Sequence, residues 1–142
     1  MKRRLIALTA TALMLGALGA QSAAATTPAP TPETFAGNNS CPEGSTKIDP
    51  VESGTYNLVG GGTITITVRE TDAGPVFDFD ASGATVGSVV VKGGPNYNVY
   101  IFAGGADSSE GLHSPQNAKN LKWYGLSHLC FESEKKEGEV KK

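Results

Sequence analysis

After residue 25 the sequence lacks any apolar pattern at helical spacing that persists for a useful length. A helical bundle or a doubly wound α/β domain is therefore not expected, and the fold has to be made of strands. Charge of one sign is missing as well: 12 Lys and Arg stand against 14 Asp and Glu, a formal −2. So balanced a chain has no basic excess for phosphates, which argues against nucleic acid as a partner. Three signatures of chemistry are also absent. There is no G-x-S-x-G nucleophile elbow and no EF-hand-like calcium loop. The glycine clusters at residues 60–62 and 92–94 open no helix that could hold a phosphate, so they read as turns.

Residues 1–25 read as a secretory signal peptide: basic Lys2, Arg3 and Arg4, an apolar run over residues 5–20, then Ala23, Ala24 and Ala25. The run is shorter than the roughly 20 residues of a membrane span and is broken by Thr9 and Thr11. No cysteine stands at the cleavage region and no apolar segment closes the C-terminus, so a secreted, extracellular chain without an anchor is expected. Processing leaves about 117 residues, enough for one domain, and losing three cations takes the formal charge to −5. Cys41 and Cys130 are expected to pair, since an exported chain holds disulfides. The 88 residues between them make a large closed loop, worth at most roughly 4 kcal/mol of stability by loop entropy.

Residues 26–40, TTPAPTPETFAGNNS, are rich in Thr, Pro and Ala and read as an extended linker or disordered arm. Residues 41–132 form the β domain, and residues 133–142 a charged, disordered tail. A short edge strand, limited by Pro50, is expected over residues 47–51 and a second strand over 53–59. Residues 63–70 alternate cleanly, with Ile64, Ile66 and Val68 on one face and Thr63, Thr65, Thr67 and Arg69 on the other. Residues 76–80 alternate again. The chain centres on residues 84–102, where valine-rich and tyrosine-rich runs flank Gly93, Gly94 and Pro95 as in a β-hairpin. Residues 103–121 show neither period and read as a long functional loop; residues 124–132 close the domain as a strand. Seven short strands with frequent turns indicate a small antiparallel β-sandwich or jelly-roll-like domain with one disulfide.

The ordered set Val90-Val91-Lys92-Gly93-Gly94, Asn98-Val99-Tyr100, Asp107, Gly111-Leu112-His113-Ser114-Pro115, Asn117, Leu126-Ser127-His128 and Phe131 resembles a group of small secreted bacterial domains. These occur alone or inside larger cell-surface proteins and carry no assigned activity. The resemblance spans about residues 40–132 and implies an extracellular module; the signal and linker composition is similar to that of a high-GC actinobacterium.

The residues suited to chemistry admit plainer readings. A Ser/His/Asp site could be assembled from Ser108 or Ser127, His113 or His128, and Asp107; the alternative is that His128 packs near the disulfide while His113 orders the long loop. His113, His128, Asp107 and Glu110 have zinc-ligand chemistry without diagnostic spacing, and calcium is the one cofactor the acidic turns could take, through Asp72, Asp78, Asp80 or Asp107. Lys92 could join Asn96, Asn98, Asp78 or Asp80 in an isopeptide bond, against the plainer reading of a solvated lysine at a strand end. The threonine row of residues 63, 65 and 67 fits an ordinary solvent-facing strand. Tyr97, Tyr100, Trp123 and Tyr124, with Asp107, His113 and Asn117 as polar companions, are the residue types on which sugar rings stack, against the plainer reading that most of these aromatics are buried in the core. The expectation is a secreted, non-enzymatic binding or surface-interaction module whose ligand the sequence does not name, an extracellular glycan or cell-wall polymer being the candidate. A small hydrolase or inhibitor, and a structural wall or matrix protein, are its alternatives.

Overall fold

The alternation of small, β-branched and aromatic residues produces, among the described residues, nine strands and no helix. The computed structural model describes residues 27–38 and 40–136; the expected signal peptide and residues 137–142 of the tail lie outside them. Strands β1 (Glu33–Ala36), β2 (Thr46–Ile48), β6 (Ala84–Gly93), β7 (Asn96–Ala106) and β9 (His128–Lys135) form one sheet, in the order β1-β7-β6-β9-β2. Strands β3 (Gly54–Asn57), β4 (Thr63–Thr71), β5 (Gly74–Ser82) and β8 (Ser108–Leu112) form the other, in that order. All strand neighbours are antiparallel. The two sheets enclose Ile64, Ile66, Phe77 and Phe79 from one side and Val89, Val91, Tyr100, Leu129 and Phe131 from the other. Phe79 meets Phe131 and Phe102 edge-on, at centroid distances of 5.7 and 5.5 Å, the arrangement the ring quadrupoles favour. The fold is thus the all-β sandwich with one disulfide that the strand pattern implies: Cys41 and Cys130 are bonded.

The chain changes sheet twice through a single residue. Gly83, at φ +75°, passes it from β5 to β6, and Asp107 passes it from β7 to β8. Both corners lie at one end of the sandwich. The turn at Gly94 and Pro95, the β4–β5 turn at Asp72 and Ala73, and residues 113–127 lie at the other.

Four expectations are corrected. The arm is part of the fold: Glu33–Ala36 pairs with β7, Phe35 opposite Tyr97, and the backbone around Pro28 bridges in parallel to Glu110 of β8. Its proline content hides this, because the pairing needs only the four proline-free residues. Residues 103–121 are not one long loop. β7 runs on to Ala106 and β8 follows after one residue, too short and polar to show a period. The closing strand starts at His128 rather than residue 124 and continues to Lys135, so residues 133–135 belong to the sheet and not to the tail. Residues 124–127 instead hang from neighbours, with Ser127 N donating to Lys92 O.

Candidate functional site

Strand parity decides which candidates share a face. Tyr97, Val99 and Ile101 point outward from β7, while Asn98, Tyr100 and Phe102 point into the core. Tyr100 is therefore buried and unavailable to a ligand, which corrects its expected role. Its hydroxyl donates to His113 O at 3.0 Å and accepts from His113 N at 2.9 Å. Asn98, equally buried, donates to the same carbonyl and accepts from the Thr34 hydroxyl at 2.6 Å. Thr34, Asn98, Tyr100 and the His113 backbone thus tie β1 and β7 of one sheet to the end of β8 in the other. Burial pushes the Tyr100 hydroxyl up to about 12.

His113 lies flat on Trp123, with ring centroids 3.5 Å apart and planes within 10°. Its Nδ1 is 2.8 Å from Ser114 O, so that nitrogen carries the proton; burial lowers its pKa below the ordinary range. Trp123 in turn covers the β4–β5 turn. Its amide donates to Ala73 O, and a Cβ on Gly74 would come within 2.9 Å of its backbone. Tyr124 likewise lies over Gly94, where an added Cβ would meet the ring at 2.5 Å. These aromatics close the loop end of the sandwich across hairpins from both sheets. Asn117 shapes its own turn, its Oδ1 accepting from Lys119 N. Trp123 and Tyr124, half-buried against these glycines, are not the exposed platform expected of them, and Asn117 is engaged in its own turn beside them.

Asp107 is at the other end. The five residues of β8 separate it from His113, which puts roughly 20 Å between them. The Asp107/His113 pairing needed for a triad or a zinc site is therefore not brought together. Asp78, a calcium candidate, is held by Arg69 through two 2.8 Å bonds and accepts from Gly111 N. The guanidinium beside it keeps its carboxyl below the usual range. His128 does pack by the disulfide: a ring nitrogen lies within 4.8 Å of both cysteine sulfurs. Lys92 is not the solvated lysine of the plainer reading. It is 7% exposed and donates to the carbonyl of Gly94.

The surface that remains is the outer face of the five-stranded sheet. Phe35 stacks on Tyr97 with centroids 5.3 Å apart, and Val99 and Ile101 continue the row along β7. Phe35 is 40% and Ile101 58% exposed. The row extends about 14 Å along the strand. Phe35 was invisible as a site residue because it stands in the proline-rich arm; the one signal was a single aromatic in an otherwise small and polar stretch. No family model, curated protein or solved structure matches the chain, so the resemblance to secreted bacterial domains rests on its residue pattern alone.

Proposed function

We propose that the protein is a secreted, non-enzymatic binding module that presents the outer face of its five-stranded sheet to an extracellular glycan or cell-wall polymer. The carrying observation is the row of Phe35, Tyr97, Val99 and Ile101, apolar and solvent-facing on a regular sheet surface. Apolar side chains gathered in this way on a solvent-facing sheet mark contact surfaces. Stacked aromatic rings on a strand present area at low entropic cost, which suits the faces of pyranose rings. The separation of Asp107 from His113 favours binding over turnover. The test is retention of the purified protein on insoluble cell wall, chitin and cellulose, beside a Phe35→Ser/Tyr97→Ser variant. Retention of the parent with loss in a variant of unchanged melting temperature supports the reading. Equal retention of both, or none by either, contradicts it.

A further inference from the structure

β7 is 11 residues long, yet β1 covers only Asn96 to Val99 of its outer edge. From Ile101 on, among the described residues, it has a paired neighbour on the β6 side alone. The arm that could have continued along this edge diverges to β8. Prolines 28, 30 and 32 lack the N–H groups a ladder needs, and the arm's next pairing is at Glu110. A groove of about 600 Å³ opens between the arm and the strand. Pro28 and Pro30 form one wall, Ile101 and Ala103 belong to the strand, and the exposed carboxylates of Asp80 and Asp107 border it. An unpaired strand edge beside an apolar groove is the setting in which extended peptides add as strands, main-chain bonds supplying affinity and flanking side chains specificity.

The charge of the groove selects the occupant. Two carboxylates favour a cation, and the protein already places one there: Lys136 Nζ is 3.0 Å from Asp107 Oδ1. We propose that this groove binds a short, extended, basic peptide segment, which pairs with β7 over residues 101–103, before the positive φ of Gly104 and Gly105 bends the strand, and sets a Lys or Arg side chain against Asp107 and Asp80. This goes beyond the polymer-binding reading and uses a different surface, apart from the shared Ile101. The Lys136 ammonium competes for Asp107, so its removal strengthens binding.

The experiment uses the purified protein and a fluorescent, end-blocked hexapeptide of alternating Val and Lys, followed by anisotropy. Saturable binding is expected, weakened about five- to tenfold in Asp80→Asn/Asp107→Asn, as loss of two surface ion pairs implies, and strengthened about two- to threefold in Lys136→Ala. The same peptide N-methylated at alternate residues, which cannot donate to a strand, is expected not to bind. Comparable binding of the N-methylated peptide or of a Val/Glu hexapeptide would overturn the proposal. So would full competition by cadaverine, which would mark an amine site instead, or no binding at all. Retention on wall polymers by Asp80→Asn/Asp107→Asn is expected to be unchanged, so failure here and failure of the polymer reading are told apart.

Discussion

The two outer faces of this sandwich are built by the same alternation, yet only one of them carries an exposed apolar row. On the four-stranded sheet Thr55, Thr65, Thr67, Asp80 and Ser108 face solvent, Thr55 and Thr65 bonded to each other across strands at 2.9 Å and Arg69 paired with Asp78. On the five-stranded sheet Phe35, Tyr97, Val99 and Ile101 form an apolar row on the β1–β7 side of the outward face; Glu33 stands beside Val99, Ser88 and Glu132 bond to each other on the β6–β9 side, and Cys130, opposite Val90, is bonded to Cys41. A polar face is complete in water; an apolar row gains by being covered. The chain covers part of the five-stranded face, since Val90 is buried, and leaves the β1–β7 side open.

If this division is right, the same chemical change has different costs on the two sides of β-strand pleats. Phe131→Ala empties the centre of the core and is expected to cost about 3–5 kcal/mol, whereas Phe35→Ala, at a half-exposed ring, is expected to cost below about 1 kcal/mol. Urea melts of both variants check this, and equal losses would erase the distinction. Replacing Cys41 and Cys130 together by Ser is expected to lower stability by up to about 4 kcal/mol. Tyr100→Phe removes a hydroxyl with two backbone partners and is expected to cost about 1–3 kcal/mol.

Two pH dependences sharpen the contrast between buried buttress and open face. The folded value of Tyr100 is raised to about 12 from 10.0, so its contribution is complete below pH 10 and is lost as pH rises toward 12. Chemical denaturation across that range should show a decline that Tyr100→Phe lacks. His113 is lowered from 6.5 by burial, so its contribution is present above that pH and lost as pH falls through the folded value. The acid-side decline should be shallower in His113→Gln, and an identical slope would remove the stacked His113–Trp123 pair from the account.

Much of the scaffold was legible because one face of a strand was wet. β4 alternates Thr and Ile, and its partner β5 follows it in register from Thr63 to Thr71. The central hairpin was legible through Gly94 and Pro95, and the disulfide through the two cysteines. β8 was not, because Ser108-Ser109-Glu110-Gly111-Leu112 offers one apolar residue and enters through a one-residue corner. Nor was β1, whose pairing depends on β7 rather than on local propensity. The aromatic candidates were misplaced for a related reason. Tyr97 and Tyr100 are three apart, so strand parity sends one out and one in; Trp123 and Tyr124 look like loop tips in sequence, yet glycines at 74 and 94 leave room for them to pack inward.

The central claim is that the Phe35–Tyr97 face, and not the threonine face, is the contact surface. Retention on cell wall, chitin and cellulose compared among the parent, Phe35→Ser/Tyr97→Ser and Thr65→Ala/Thr67→Ala tests it most directly. The account predicts retention of the parent and of the threonine variant on at least one polymer and its loss in the aromatic variant. Loss in the threonine variant with retention in the aromatic one, or no retention of the parent on any of the three, would contradict it.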